Sequence, residues 1–408
     1  MNVLTELNEG LAISWSAIRA NKMRSVLTTL GIVIGIVTVT LMGTAIEALN
    51  RAFMTSISFI GADVLYVQKN DWGPHSEEDW LKMQKRPAIT LENANALERS
   101  LTLARAITPV NFTGRLIKYG KRSAGGVTIV GSTDQLLLTG GISVADGRFI
   151  SAAEAEGGRA VAVIGSQVAT NLFPRESPLG KRISIGQQPF EVVGVLETQG
   201  SLFGNFDNQA IIPLQQMRTA FIHTRDLAMI QVKVNNVADL DNAREELHSA
   251  MRRVRRLSPA EPDDFAINQQ EQILSMVHRV TGTIATVGLS ITGLSLFVGG
   301  IGIMNIMFVS VAERTREIGV RKAIGAKRRT ILLQFLIESG VICLIGGAIG
   351  LGIAWPFTFL IGKYLPATLS PTIVTIALLV SLVTGVLSGF FPAWRAARMN
   401  PVDALRNE

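Results

Sequence analysis

The sequence has little of what most soluble proteins and many enzymes depend on. Of its 408 residues one is cysteine, 6% are aromatic and 17% are charged. The single cysteine, Cys343, excludes a disulfide within the chain and a cysteine-based metal site. With 48% hydrophobic residues and a mean hydropathy of +0.32, the chain is too apolar for a disordered protein and for an ordinary soluble one.

The motifs of nucleotide hydrolysis, nucleophilic catalysis and metal binding are also missing. Leu179–Arg182 comes nearest to a phosphate-binding loop, but it lacks the first glycine and the hydroxyl residue of that motif. No Gly-x-Ser-x-Gly turn is present, and the four histidines do not have the spacing of metal ligands. We therefore expect a chain that is not an enzyme and that binds no metal and no cofactor of its own.

The net charge of +7 is compatible with nucleic-acid binding in sign, but its distribution argues against that function. Between residues 50 and 279, 25 basic residues balance 24 acidic ones. Glu313–Arg329 carries seven basic and two acidic residues and lies beside apolar segments. Such a basic excess is typical of the cytoplasmic flank of membrane helices.

Long apolar segments predict an α-helical membrane protein with four transmembrane helices. The predicted spans are residues 25–49, 280–312 including an outer helical stalk, 331–362, and 363–394 including a short outer loop. The basic flanks place both termini and residues 313–330 in the cytoplasm. A large extracytoplasmic α+β domain is then expected between helices 1 and 2.

The two ends of the chain are expected on the cytoplasmic side. In residues 1–24 apolar side chains recur at helical spacing, which predicts an amphipathic helix that lies in the membrane interface or packs against the bundle. No small-residue cleavage site follows the first span, so a signal peptide is not expected. Residues 395–408 are predicted to form a cytoplasmic tail.

Residues 50–279 alternate short runs of β-branched residues with helical patterns, which indicates a folded domain. Strands are predicted at 63–67, 126–131, 160–164, 190–196, 210–212 and 229–234. Helices are predicted at 90–103, with Thr90 as the candidate N-cap, and at 166–173 and 239–257. Two lobes are predicted, one of residues 50–125 with 226–275 and one of 126–225. The last helix ends in four arginines, which form either a solvated final turn or a patch for an anionic lipid or an acidic substrate.

Every predicted span contains a pair of small residues four positions apart. The pairs are Gly31 and Gly35, Ser295 and Gly299, Gly346 and Gly350, and Gly385 and Gly389. Small residues let membrane helices approach closely, where no hydrophobic effect drives their association. The pairs predict a tight bundle and leave open whether some of them lie at an interface between subunits.

Apart from Glu47 near the end of the first span, Glu338 is the one acidic residue inside a predicted span. We expect it at the cytoplasmic interface or buried in the bundle, within reach of interfacial water or of Arg328 and Arg329. A proton relay would need several polar partners at membrane depth, and the sequence offers none there.

The most specific pattern runs from Gly299 to Ala326, reading GGIGIMNIM and then ERTREIGVRKAIGA. This stretch resembles the MacB-like permeases of ABC transporters, the FtsX-type or type VII superfamily. The resemblance continues in Asn21–Thr28, Gly147–Phe149, Gln334–Glu338, Gly346–Gly350, Phe391–Ala397 and Asn400–Arg406.

The resemblance implies a permease that dimerises and pairs with two ATPase subunits, which use ATP and Mg²⁺. It implies that ATP-driven movement reshapes the outer domain and expels a substrate already outside the bacterial inner membrane, with a membrane-fusion adaptor and a TolC-like outer-membrane channel. The MacB proteins carry a fused ATPase before the first span, which here begins near residue 25. We therefore expect the permease-only form, with the ATPase on a separate chain.

The resemblance also assigns residues 313–330, called the coupling segment below, to contact with the ATPase. The candidate contact residues are Glu313, Arg314, Thr315, Arg316, Glu317, Ile318, Gly319, Arg321, Lys322, Ala323, Gly325 and Ala326. Charged residues would dock by ion pairs, while Ile318, Val320 and Ile324 would fill an apolar groove. A simple positive-inside anchor would explain the basic residues but neither the two glutamates nor the apolar positions.

Two alternatives share this topology. One is a lipoprotein-releasing permease of the LolC/LolE kind, which would copurify with a lipoprotein and its chaperone. The other is an FtsX-like transmembrane signal transmitter that activates cell-wall hydrolases, although the outer domains of such proteins are generally smaller.

Overall fold

The computed structural model describes residues 22–57, 61–73, 75–199, 206–363 and 367–406. The described chain divides into two compact units. One contains the residues up to Ala52 together with those from Val280 onward, and the other is Phe53–Arg279. The amphipathic helix predicted for residues 1–24 lies almost wholly outside the described residues.

The helices and strands are numbered here in chain order. The helices are α1 (Lys22–Ile57), α2 (Glu77–Gln84), α3 (Leu91–Ser100), α4 (Leu136–Thr139), α5 (Ala152–Gly157), α6 (Ser166–Leu172), α7 (Leu214–Ala220), α8 (Leu240–Arg255), α9 (Gln270–Glu313), α10 (Thr315–Ala323), α11 (Arg328–Gly362), α12 (Pro371–Arg398) and α13 (Pro401–Arg406). The strands are β1 (Val64–Gln68), β2 (Ile89–Thr90), β3 (Ala104–Tyr119), β4 (Arg122–Ser132), β5 (Val144–Gly147), β6 (Val161–Ile164), β7 (Arg182–Ile185), β8 (Gln188–Leu196), β9 (Gln209–Pro213), β10 (Asp226–Leu227), β11 (Met229–Val234) and β12 (Ala266–Gln269).

Among the described residues, four helices are long and apolar enough to cross a membrane: α1, α9, α11 and α12. Helix α9 begins at Gln270 rather than at residue 280. Its 44 residues extend about 66 Å at ~1.5 Å per residue, more than twice the ~30 Å of a hydrocarbon core. Helix α12 begins at Pro371, where a missing N–H has no consequence, and the Ser370 side chain accepts a hydrogen bond from the Thr372 amide.

The four long helices meet in a core of aliphatic and small side chains. Ile32 and Ile36 of α1 are fully buried, and they belong to one cluster with Met307 of α9, Phe335 of α11 and Ala393 of α12. The many exposed apolar side chains of the same helices, such as Leu294 at 67% and Leu387 at 67%, are typical of surfaces that face lipid.

In the unit Phe53–Arg279, named the outer unit below after its predicted location, ten strands of the described residues form one mixed sheet. Their order is β12-β1-β11-β3-β4-β9-β6-β8-β5, and β7 pairs with β3 and β8. Strand β3 changes its partner along its length. Strand β11 pairs with residues 104–110 of β3, and β4 pairs with residues 111–119.

Separate hydrophobic clusters lie along this sheet. Leu65, Leu97 of α3 and Leu247 of α8 belong to one cluster, and Ile129, Phe190 and Met217 of α7 belong to another. The division of residues 50–279 into two lobes, with a boundary near residue 125, stays a prediction.

Two details of the predicted helices have clear outcomes. The Thr90 hydroxyl accepts a hydrogen bond from the Asn93 amide and caps α3, as predicted. At the end of α8, Arg252 pairs with Asp263 and Arg255 pairs with Asp264, and both arginines also donate to backbone carbonyls. These two arginines hold the following loop, so they are neither simply solvated nor available as a patch for a ligand.

Candidate functional site

Within the coupling segment, Thr315–Ala323 form the short helix α10. Helix α9 ends at Glu313, and the Arg314 backbone, with φ −100° and ψ 13°, breaks the helix before α10 begins. Backbone hydrogen bonds continue across the break, from the Arg314 amide to the Ser310 carbonyl and from the Ile318 amide to the Arg314 carbonyl. At the other end Gly325 has φ +101°, a conformation that favours glycine.

One face of α10 is buried in the protein's own core. Ile318 is 4% exposed and belongs to the same cluster as Val311 and Ile331, and Gly319 beside it is also buried. The hypothesis that Ile318 fills a groove on a partner is therefore corrected, because this side chain already contributes to the core of the chain itself.

Arg314 points toward α11 and meets Glu338. Its Nη1 lies 3.3 Å from Oε2 and 3.5 Å from Oε1 of that carboxylate. Glu338 is 3% exposed, so the carboxylate is buried as one of the sequence-based alternatives had it. Its charged partner is Arg314 rather than Arg328 or Arg329, because the break after α9 directs the Arg314 side chain toward α11.

Arg321 contacts the same side of α11 one turn away. Its guanidinium donates to Gln334 Oε1 at 2.8 Å and lies 2.6 Å from the Glu317 carboxylate. Gln334 and Glu338 are four residues apart on α11 and therefore project from the same helix face. Two guanidinium groups of the coupling segment thus bind adjacent positions on one helix.

Lys322 fastens α10 to the end of α12. Its Nζ donates to the carbonyl of Ala397 at 2.7 Å and to that of Met399 at 2.6 Å. The last carbonyls of a helix have no partner within the helix, so a cation is well placed there. Burial, and then the neighbouring Arg328, lower the pKa of Lys322.

The remaining face of α10 is exposed. Ile324 is 81% exposed and Val320 46% exposed, and they lie near the exposed charges of Arg316 and Glu317. Within the described residues, no hydrogen bond or ion pair involves Arg316. The other exposed candidates are Glu313, Ala323 and Gly325. This combination of apolar and charged groups is what we call the outward face.

Two further candidates belong to neither face. The Thr315 hydroxyl donates to the carbonyls of Val311 and Ala312 in the last turn of α9. Ala326 is partly buried and packs against the helical core.

Sequence reasoning missed Gln334, although its spacing of four residues from Glu338 on an otherwise apolar helix is a signal that could have identified it. Among the described residues, no group of His, Cys, Asp and Glu is arranged to hold a metal ion.

The predicted small-residue pairs lie where helices of the chain cross. A Cβ added to Gly31 of α1 would lie 2.9 Å from Gly299 Cα of α9, which is too close for any side chain. The backbone oxygen of Ser295 lies 3.5 Å from the same point. Helices α1 and α9 are therefore in backbone contact here, as the pairing rule for small residues predicts.

The other pairs serve crossings within the same unit. A Cβ at Gly35 would meet Leu296, and one at Gly346 or Gly350 would meet α1 at Ile32 or Ile36. Added Cβ atoms at Gly385 and Gly389 of α12 would meet side chains of α11, namely Cys343 Sγ at 2.7 Å and Ser339 Oγ at 2.1 Å. Contacts inside the chain account for each of these glycines.

Comparisons with known proteins identify the same two parts of the chain. Residues 25–250 match the family described as MacB-like periplasmic core domain, and residues 289–401 match the family described as FtsX-like permease C-terminal. The uncharacterized ABC transporter permease YknZ of Bacillus subtilis is 32% identical over 407 residues, which cover 98% of this chain and 100% of YknZ.

Two larger relatives are also similar. The macrolide export ATP-binding/permease protein MacB of Escherichia coli is 34% identical over 98% of this chain and 61% of its own length. The pyoverdine export ATP-binding/permease protein PvdT of Pseudomonas syringae is 34% identical over 99% of this chain and 60% of its own length. The chain thus spans about three fifths of these two relatives. From its outer domain, its four apolar helices and these matches, the chain belongs to the MacB-like, FtsX-type family of ABC transporter permeases.

Proposed function

We propose that the chain is a permease subunit that transmits force from an ATPase in the cytoplasm to a domain outside the inner membrane. The four apolar helices cross the membrane, both termini and the coupling segment lie in the cytoplasm, and the outer unit lies in the periplasm. An ABC ATPase dimer binds and hydrolyses ATP with Mg²⁺, and this chain supplies no catalytic group. The resulting movement of the outer unit exports a substrate.

The observation that carries this proposal is the outward face of α10. Val320 and Ile324 are 46% and 81% exposed and lie four residues apart, and an apolar patch rimmed by polar residues marks a surface that a partner covers. Arg316 and Glu317 beside them supply charges that give an interface its orientation and specificity. The names of MacB and PvdT join ATP binding and permease activity, which supports an ATPase as the partner here.

The export step and its further partners are part of the proposal. We infer a pair of permease chains, a membrane-fusion adaptor and an outer-membrane channel, from the resemblance to the MacB-like branch. The names of two relatives at equal identity specify different cargoes, a macrolide and pyoverdine. Similarity therefore supports export of a substrate without selecting its chemical class.

The docking role of the outward face is tested by reversing one charge. We expect Arg316→Glu to lower the amount of ATPase subunit that copurifies with the full chain in mild detergent by at least about tenfold, which corresponds to ~1.4 kcal/mol. Arg316→Lys keeps the charge and should retain the ATPase. Lys118→Glu makes the same reversal on an exposed residue of the outer unit and should also retain it.

Two results would argue against the proposal in different ways. Full recovery of the ATPase with Arg316→Glu would show that the outward face of α10 is not the docking surface. Purification of the wild-type chain with a lipoprotein chaperone or a cell-wall hydrolase, and without an export adaptor, would replace export by one of the two alternative functions.

A further inference from the structure

We propose that Arg314, Arg321 and Lys322 form a clamp that makes α10 move together with α11 and α12, and that the Arg314–Glu338 ion pair is the contact that transmits ATPase movement to these helices. The proposal rests on the proposed function, because it assumes an ATPase that pulls or pushes on α10. In this proposal Arg314, Arg321 and Lys322 transmit the movement to α11 and α12, and the outward face of α10 binds the ATPase.

The first step of the argument is the burial of the ion pair. The Glu338 side chain is 4% exposed and the Arg314 side chain is 20% exposed, and their nearest charged atoms are 3.3 Å apart. A buried carboxylate without its partner is strongly unfavourable in apolar surroundings. We therefore expect α11 to follow a displacement of Arg314. If the two side chains separated, the buried Glu338 carboxylate would have no compensating charge.

The second step is the position of Arg314 in the chain. It lies at the break between α9 and α10, and the backbone hydrogen bonds on both sides of it are intact. A movement of α10 thus reaches Arg314 directly, and the ion pair passes it sideways to α11. Without that pair, the break would be free to act as a hinge between α9 and α10.

The third step is the number of contacts that join α10 to the long helices. Arg321 holds Gln334 one turn from Glu338, and Lys322 holds the two carbonyls at the end of α12. Two basic side chains of α10, together with Arg314 just before it, therefore contact two different long helices. Such a helix cannot tilt or slide alone, because each direction of movement stretches at least one of these contacts.

The separation of roles predicts two different failures. Loss of an outward residue should release the ATPase, whereas loss of the clamp should leave the ATPase bound and hydrolysing ATP without moving the outer unit. Arg316→Glu and Arg314→Glu form a matched pair for this comparison. They make the same charge change two residues apart, one on the outward face and one toward α11.

The experiment uses the full chain in complex with its ATPase subunit in lipid nanodiscs. Hydrogen–deuterium exchange of peptides from residues 61–279 is compared without nucleotide and with Mg-ATP and vanadate. We expect Arg314→Glu and Glu338→Arg to retain the ATPase, while the nucleotide-dependent change in the outer unit falls at least about fivefold. The double reversal Arg314→Glu with Glu338→Arg should regain most of the change.

Several outcomes would overturn the clamp. A full nucleotide-dependent change in either single reversal would do so, as would a folded double reversal that regains nothing. If the single reversals do not fold, Glu338→Gln removes the charge at nearly constant shape, and a full change in that variant is then the contradicting result. A wild-type complex that binds ATPase but shows no change in the outer unit would refute the proposed function itself, and the clamp with it.

Discussion

Arg148 shows how a short motif of the outer unit works at the level of single residues. The preceding Gly147 has φ +79°, and a Cβ there would lie 2.4 Å from the Val193 carbonyl oxygen. The Arg148 guanidinium makes two parallel hydrogen bonds to Glu154, of 2.7 and 2.8 Å, and Phe149 is buried. The Gly147–Phe149 motif therefore joins β5 to α5, and its role is structural.

Glu154 gives this contact a testable pH dependence. The hydrogen bonds from Arg148 outweigh the opposing effect of burial, and those with Ser151 add to them, so that the pKa of Glu154 is about 2. A lowered pKa contributes stability that is complete above the ordinary value near 4.5 and is lost as the pH falls toward 2. We expect Glu154→Gln to destabilise the outer unit by about 2 kcal/mol at neutral pH.

The measurement is thermal unfolding of the full chain in detergent between pH 7 and pH 3. The difference between the wild type and Glu154→Gln should be constant from pH 7 to pH 5 and should shrink below that range. Glu156→Gln, two residues away and exposed, is the matched control and should change little. A difference that grows on acidification would contradict the assigned direction of the pKa.

At the scale of elements, α9 contains glycines in two different situations. Gly299 is in backbone contact with α1, because its added Cβ would lie 3.0 Å from the Ile32 amide nitrogen and 3.1 Å from the Gly31 carbonyl carbon. Gly293 is exposed on the same helix, and no atom lies within 4 Å of its added Cβ. One glycine is required for helix contact, and the other is not.

This difference predicts the effect of adding a side chain. Gly299→Val should push α1 and α9 apart and destabilise the helical unit by about 2 kcal/mol, whereas Gly293→Val should be nearly neutral or stabilising. Helix propensity changes equally in both variants, so the difference in their unfolding temperatures by circular dichroism isolates packing. Equal behaviour of the two variants would mean that the close approach of α1 and α9 is absent in the membrane.

Periodicity predicted many of these elements but not the longest strand. The apolar helices and the N-cap of α3 could be predicted because their signals are local in the sequence. These signals are a long run without charge and, for α3, Thr90 three residues before the Asn93 amide that its hydroxyl caps. Strand β3 was missed because Pro109 and Gly114 interrupt the β-branched pattern. Its pairing is fixed by β11 and β4, and the β11 partner lies far away in sequence.

The same limit applies to the coupling segment. The sequence indicated its charges, its apolar positions and its cytoplasmic side, but not which residues face inward. The acceptors of its basic side chains lie at or near two other helices. Arg314 and Arg321 donate to Glu338 and Gln334 of α11, and Lys322 donates to the carbonyls of residues 397 and 399 at the end of α12. A helix of nine residues is too short for its own pattern to distinguish a basic side chain that binds a partner from one that binds the bundle.

At the scale of the whole molecule, the proposed function requires the coupling segment and the outer unit to lie on opposite sides of the membrane. The basic flanks predict this orientation. The chain is well suited to a test, because its one cysteine, Cys343, is fully buried and should react little with a thiol reagent. Single cysteines can therefore be introduced at Ile324 and at Lys118, both exposed, against a low background.

We expect a membrane-impermeant maleimide to label Lys118→Cys in cells whose inner membrane is intact and to label Ile324→Cys only after that membrane is permeabilised. The result follows from the proposed function, because ATP is confined to the cytoplasm and the proposed ATPase contacts the outward face of α10. Labelling of Ile324→Cys in intact cells would place α10 out of reach of ATP, and no ATPase could then drive the chain through this surface. The parent chain, carrying Cys343 alone, sets the background for both measurements.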